Sequence, residues 1–343
     1  MSLSFPIGDP VSLPSRRTLL TGTSITGLAA LTACSSELGE EASTAAPGTA
    51  GSGSATTVET LFGTVELPED PQRVVALGWG DAETCLALGT QVVGTSDWLA
   101  FGGDGVGPWA DDLVTRTPEQ LGTLELSYEA VAALQPDLIL NTRSDNDPAK
   151  NENLTGIATT VGPPPGTTIP YGTSWQEQLA LVATALGKAD LGDELASALQ
   201  LRFDEVAAAH PQFDGRTVTV GTYYSGGWGA YVEGDTRVDF MTSLGFVQNP
   251  AVAALPTDSF SVSLSAEQLS LLDADLVVLF PIGLSAEEIT ADPVVQALPA
   301  TQDGRLVVLD EAAIVSAFSS GTTLGLGYAL DEAVPLFAQA LPA

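Results

Sequence analysis

Alternating strand and helix patterns flank one long helical stretch, and Gly-rich aromatic segments follow several of the strand patterns. Together these observations predict an α/β protein: two Rossmann-like α/β lobes joined by one long helix, with a ligand cleft between them. The helical stretch occupies residues 173–211. It opens with Ser174-Trp175-Gln176-Glu177, a Ser-x-x-Glu capping box whose side chains satisfy backbone N–H groups at a helix start. Trp175, Leu179, Val182 and Leu186 recur at helical spacing until Gly187 stops the helix. A second helix is predicted from about Ala189 to Ala209, with Leu191, Leu195, Leu199, Phe203 and Val206 forming one apolar stripe. It is roughly 30 Å long, enough to cross a small domain. His210-Pro211 ends it, because proline disfavours helix in the residue before it.

The 343 residues hold material for two domains. Eleven basic residues against 43 acidic ones leave a net charge of −32, which argues against nucleic acid and against adsorption to anionic lipid. An anionic ligand would have to be met by a local exception. The one histidine, His210, excludes sites that need two or more imidazoles. Cys34 and Cys85 are the two cysteines and give no disulfide framework.

Residues 1–34 read as an export signal. Ser15-Arg16-Arg17-Thr18-Leu19-Leu20 carries paired arginines of the twin-arginine kind, and a short, mildly apolar run follows from Leu19 to Ala33. That run is too short and too polar to span a bilayer comfortably. It ends in Leu31-Thr32-Ala33-Cys34, which resembles the lipobox of bacterial lipoproteins. The resemblance implies that Cys34 is acylated and anchors the mature chain to a membrane. Residues 35–57, rich in Ser, Thr, Ala, Gly and Glu without periodicity, read as a flexible tether.

The first lobe is predicted over 58–172. Arg73–Leu77 reads as a buried strand, Asp81–Gly89 as a helix, Gln91–Gly94 as a second strand, and Asp137–Leu140 as a third after a helix capped by Ser127. The second lobe, 212–343, repeats this grammar. Arg216–Val220 and Asp275–Leu279 read as strands, Val238–Gly245 and Ser265–Leu272 as helices. One pair of segments aligns without a gap: Glu129-Ala-Val-Ala-Ala-Leu-Gln-Pro-Asp137 and Glu267-Gln-Leu-Ser-Leu-Leu-Asp-Ala-Asp275. Each has a glutamate at the helix start, where the macrodipole favours an acid, and an aspartate opening the strand.

Three segments carry a specific likeness. Pro71–Leu77 with Glu83–Gly89, Tyr128–Leu140, and Asp273–Leu279 resemble, in that order, the iron-siderophore/cobalamin/haem group of periplasmic-type binding proteins. The likeness extends over about residues 58–340. It implies two α/β lobes on one long rigid helix, a ligand held in the cleft, delivery to an ABC permease dimer with its ATPase, and no catalysis. It also implies a monomer, exported and lipid-anchored at the outer face of a bacterial cell membrane. In that group a glutamate on each lobe meets arginines of the permease, roles that would fall here to Glu129 and Glu267.

Open α/β sheets bind ligands beyond the carboxyl ends of their strands. That rule selects Trp79 after the first strand, Trp98 and Trp109 after the second, and Arg143 after the third. In the second lobe it selects the run holding Tyr223, Tyr224, Trp228 and Tyr231, with Arg237 beyond it, and then Phe280 and Phe318. Four of the five tryptophans fall in these segments, which suits a binding cleft, the alternative being loop aromatics that pack back on their own lobe. Arg143 and Arg237 offer planar forks of donors suited to carboxylate, catecholate or hydroxamate oxygens. Arg73 and Arg305 precede strands and read as structural, and Lys150, Lys188 and Arg202 as solvated. A ferric ion already wrapped in an organic chelator needs no protein ligand, so a ferric-siderophore is expected without a resident cofactor or metal. Cobalamin would suit the aromatic segments, and haem could use Tyr223, Tyr224 or Tyr231 as an axial ligand. From other classes, Ser225 in its glycine-rich turn with His210 leaves a serine hydrolase open, and a non-transporting envelope scaffold is the third reading.

Overall fold

The computed structural model describes residues 56–123, 125–224 and 227–342. The signal segment with Cys34, the tether up to residue 55, and Ser225 lie outside the described residues.

Two short apolar runs organise the first lobe. Val74–Ala76 and Leu138–Leu140 lie side by side in a five-stranded parallel sheet ordered Glu119–Gln120, Val92–Thr95, Val74–Ala76, Leu138–Leu140, Thr159–Val161. A parallel sheet is covered on both faces, which is why these runs are continuously apolar and fully buried. Their alternation divides two cores: Val74, Ala76, Leu138 and Leu140 face the large central one, Val75 and Ile139 the smaller outer one. Cys85, on the helix Asp81–Ala87, is buried in the central core, where desolvation holds its thiol well above its ordinary pKa.

The second lobe departs from the purely parallel pattern. Its sheet runs Ser261–Leu264, Gly227–Tyr231, Thr217–Tyr224, Leu276–Ile282, Leu306–Val308, with Val247–Gln248 paired to the start of Thr217–Tyr224. Thr217–Tyr224 turns back antiparallel into Gly227–Tyr231, which in turn pairs antiparallel with Ser261–Leu264. The other pairings are parallel.

The repeat seen in the sequence is a structural repeat. Val74 pairs with Leu138 in one lobe and Val218 with Leu276 in the other. In the first lobe Asp137 accepts the backbone N–H of Gln72 and Arg73 at 2.7 and 2.9 Å. Asp275 does the same for Thr217 at 2.9 Å. Each aspartate thus satisfies the unpaired donors at the beginning of the neighbouring strand. Arg73 and Arg305 are structural as expected, bonding the backbone carbonyls of Leu134 and Ala274 respectively. The helix after Ser127 forms over Tyr128–Ala133, while its counterpart Ala266–Leu272 winds more tightly as 3₁₀.

The central segment folds as its capping signals dictate. The Ser174–Glu177 box forms, the first helix spans Trp175–Ala185, and the second spans Ala189–Ala209. Lys188, expected in solvent, instead donates to Leu88 O at 2.6 Å and Thr90 Oγ1 at 2.7 Å, tying the long helix to the first lobe. Arg202 is likewise engaged, reaching Asp331 at 2.7 Å. Leu199 and Phe203 are buried, and Phe203 meets Phe240 edge-on at 5.3 Å. Leu191 is 38% exposed, because at this end the first helix covers the opposite face, where Gly192 sits close to Ala183. A further connection was not legible in the sequence. The penultimate helix, Thr323–Glu332, packs against both the long helix and Asp81–Ala87 of the first lobe.

These burials set an expectation for stability. Phe203→Ala should cost about 3–5 kcal/mol in urea unfolding, while Leu191→Ala should change stability by less than about 0.5 kcal/mol.

Candidate ligand cleft between the lobes

The cleft begins at the turn after the first strand. Gly78 N donates to the Asp81 carboxylate at 3.0 Å, and so does Thr142 N at 3.0 Å from the third-strand loop. Thr142 Oγ1 adds a further bond, and Gln178 Nε2 another at 2.6 Å. Burial raises the Asp81 pKa above the usual carboxylate value, and these donors pull it partly back. Trp79 is held at both backbone atoms: its N–H donates to Arg143 O at 2.9 Å and its carbonyl accepts from Gln178 at 2.8 Å. Its indole then stacks between Trp98 (4.3 Å, 8°) and Tyr171 (3.9 Å, 20°). Stacked aromatic pairs of this geometry contribute about 0.5–1.5 kcal/mol beyond their area burial. A three-ring wall results.

The facing wall belongs to the second lobe. Tyr231 stacks on Phe280 at 5.7 Å, and the Arg237 guanidinium lies 3.7 Å over the Tyr231 ring. Asp235 grips Arg237 by its fork, accepting from Nε at 2.7 Å and Nη2 at 2.6 Å. Desolvation works against the Arg237 charge, yet Asp235 and Tyr231 outweigh it and leave the pKa raised. Phe260 closes one end, edge-on to Trp79 at 6.3 Å. The space enclosed is about 520 Å³, lined chiefly by apolar atoms, with Ser316 and Ser319 among the polar residues that line it. That size is in the range of small-molecule sites.

Arg143 is placed differently from the open fork expected of it. It is 3% exposed, and all three guanidinium nitrogens are engaged: Nε with Tyr171 O (2.9 Å), Nη1 with Ser320 O (3.1 Å), Nη2 with Thr236 Oγ1 (2.7 Å). Ser320 and Thr236 belong to the opposite lobe, so Arg143 ties the lobes together under the cleft. Burial lowers its pKa to about 10, with Asp235 opposing the shift.

Of the residues selected from sequence, Trp79, Trp98, Tyr231, Arg237 and Phe280 line the cleft. Five others lie elsewhere. Trp109 donates its indole N–H to Glu83 at 2.9 Å and packs between Phe101 and Tyr328. Trp228 is buried in the outer core of the second lobe, with Tyr223 stacked on it at 4.4 Å. Tyr224 meets Ser263 at the strand edge, and Phe318 is buried between Phe240 and Phe337. The reason is period-two alternation. The glycine-rich run is a strand hairpin, not a loop, so Trp228 and Ala230 face one side and Tyr231 the other. Phe260 and Tyr171 were missed. Phe260 reaches the cleft because it leads into Ser261–Leu264, which pairs with Gly227–Tyr231, Ser261 opposite Tyr231. Tyr171 is aimed by a left-handed backbone, φ 61°, and by its N–H bond to Ser144 O at 2.7 Å. Only the Ile169-Pro170-Tyr171 turn hinted at it.

Glu129 and Glu267 are outside the cleft, both exposed, each in the first turn after a serine cap. His210 stacks on Phe213 at the end of the long helix, 5.0 Å between rings. Among the described residues no cluster of three or more His, Cys, Asp or Glu side chains could hold a metal ion, and no helix is long and apolar enough to cross a membrane.

Comparison with known proteins agrees with this architecture. A family model described as periplasmic binding protein matches residues 74–313. A Bacillus subtilis protein named Probable siderophore-binding lipoprotein YfiY is 29% identical over 233 residues, covering 65% of this chain and 68% of its own. The crystal structure of a periplasmic solute binding protein from Mycobacterium smegmatis superposes with a TM-score of 0.73 at 26% identity, covering 84% of this chain and 99% of that one. The PiaA protein of Streptococcus pneumoniae, solved in complex with ferrichrome, gives 0.71 at 25% identity over 83% and 98% of the two chains. With two α/β lobes, long connecting helices and a cleft at the carboxyl ends of both sheets, the chain belongs to the periplasmic binding protein family, whose members bind ligands and do not catalyse.

Proposed function

We propose that this chain is the substrate-binding lipoprotein of an ABC importer and that it captures a ferric-siderophore complex in the interlobe cleft. The observation that carries the reading is the facing pair of aromatic walls, Trp98–Trp79–Tyr171 against Tyr231–Phe280, in a pocket of small-molecule size. The named functions of the B. subtilis relative and the ligand in the S. pneumoniae structure support it. A chelated ferric ion is cargo, already coordinated, and asks only for shape, stacking and a few hydrogen bonds. Haem fits less well: Tyr223 and Tyr224 stand away from the cleft, and Tyr231 lies under the Arg237 guanidinium. A hydrolase is set aside by the family itself.

Titration with ferric chelates should quench tryptophan fluorescence, and Trp79→Ala should remove most of that quench and weaken binding at least about tenfold. Tight binding of cobalamin or haem with no ferric chelate bound would falsify the assignment.

Members of the family pair with an ABC permease and its ATPase and are held at the membrane. For this chain the proposed docking groups are Glu129 and Glu267, one exposed carboxylate at the equivalent place on each lobe. A permease of two similar subunits offers a matching two-fold target. Exposed ion pairs contribute about 0–1 kcal/mol each, so they act chiefly on encounter and register. Glu129→Ala with Glu267→Ala should leave chelate affinity unchanged and cut cellular iron uptake severely; normal uptake by the double variant refutes the docking role. The proposed anchor is acylated Cys34, with export by the twin-arginine signal and residues 35–57 as tether. Cys34→Ala should move the folded protein from the membrane fraction to the soluble one, and retention in the membrane would count against lipidation there.

A further inference from the structure

The charges around the cleft bear on which ferric complexes it can take. Among the described residues that line it, Arg237 is the one cation, and its charge is spent on Asp235 through two bonds of 2.6 and 2.7 Å. Arg143 is 3% exposed, its nitrogens occupied by neutral acceptors, and Asp235, Asp239 and Asp81 stand near enough to oppose the combined field of Arg143 and Arg237. The loops that carry Trp98 and Phe260 add Asp97 and Asp258. The remaining described basic residues are committed or distant. Arg73 and Arg305 bond backbone carbonyls, Lys188 holds Leu88, and Lys150, Arg202 and Arg216 pair with Asp145, Asp331 and Asp275. Arg116 is exposed ahead of the strand Glu119–Gln120 and is not among the residues that line the pocket. All of this sits in a chain of net charge −32. Among the described residues, no uncompensated cation lines the pocket to receive an anion. A charged ligand entering a pocket of low polarity without a counter-charge keeps its full desolvation cost.

We infer that the cleft selects ferric complexes of zero or single positive charge, the class formed by hydroxamate chelators, over the trianionic complexes of catecholates. Three hydroxamates carry three negative charges and cancel those of the ferric ion; three catecholates carry six and leave three in excess. A neutral complex presents apolar and weakly polar surface to the aromatic walls and needs no guanidinium to itself. The inference rests on the ferric-siderophore reading of the cleft and narrows it.

The test is calorimetric titration of the full chain with ferrichrome (neutral), ferrioxamine B (cationic) and ferric enterobactin (trianionic), at low and high salt. The hydroxamate complexes should bind at least about a hundredfold tighter than ferric enterobactin. The ferrichrome affinity should change by less than about twofold with salt, and any enterobactin binding should strengthen as salt screens the protein's negative field. Asp235→Asn keeps a helix-capping side chain while releasing Arg237. It should shift the affinity ratio toward enterobactin by at least about tenfold. Enterobactin binding as tightly as the hydroxamates overturns the inference and leaves the ferric-siderophore function standing. So does an unchanged ratio in an Asp235→Asn variant with the wild-type melting transition; should that variant not fold, the wild-type salt series decides. Failure of all three complexes to bind overturns the function and the inference together.

Discussion

A buried guanidinium sets the relation of the two lobes. Arg143 leaves the third strand of the first lobe and spends two of its three bonding nitrogens on Ser320 and Thr236 of the second. A buried charge survives only when its donors are satisfied, so this contact constrains everything near it. Gly321 shows the constraint locally. Its backbone is left-handed at φ 66°, and a Cβ there would collide with Arg143 Nη1. The same residue fixes the cleft, because its carbonyl receives the Trp79 N–H and its Nε holds the carbonyl of Tyr171. The angle between lobes and the aromatic wall therefore share one support.

A second buried acid reinforces that support. Glu83 accepts from Gly107 N (3.0 Å), Trp109 Nε1 (2.9 Å) and, across the molecule, Thr322 Oγ1 (2.5 Å). Desolvation raises its pKa, and those three donors pull it partly back. Trp109 is thus a structural tryptophan whose indole helps seat the carboxylate that meets Thr322, the cap of the helix Thr323–Glu332. With the long helix, Arg143 and Glu83 all crossing between lobes, a large hinge opening would break several buried hydrogen bonds, each leaving an unsatisfied group. Such a frame suits a receptor that moves little on binding.

The pseudo-repeat explains why the proposed docking carboxylates stand apart from the cleft. Asp137 and Asp275 pin equivalent strand starts, at the amino ends of the two sheets. The helices that lead into those strands begin with Glu129 and Glu267, exposed and clear of the cleft. The cleft lies at the opposite, carboxyl ends, where Trp79 follows its strand and Phe280 lies in the carboxyl half of Leu276–Ile282. Changes of charge on one surface need not disturb packing on the other.

Local signals in the sequence determined what is locally encoded. The Ser174–Glu177 box, the glycine stops and the 3.6-residue stripe placed the connecting helices at their observed bounds, and continuous apolar runs marked the central parallel strands of both lobes, while Glu119–Gln120, Thr159–Val161 and Val247–Gln248 carried no such signal. The strand-end rule pointed to Trp79, Trp98, Tyr231 and Phe280, and Arg237 joins them from the first turn of the helix Thr236–Ser243 just beyond. Only the tertiary structure decided the rest. Whether Gly227–Tyr231 is loop or strand depends on pairing with Ser261–Leu264, a contact remote in sequence, and that pairing turned Trp228 inward and brought Phe260 to the cleft. Whether Arg143 faces a ligand or bridges lobes depends on Ser320, 177 residues away. A side chain's type is written in the chain, but its partner is chosen by whatever folding brings within hydrogen-bond reach.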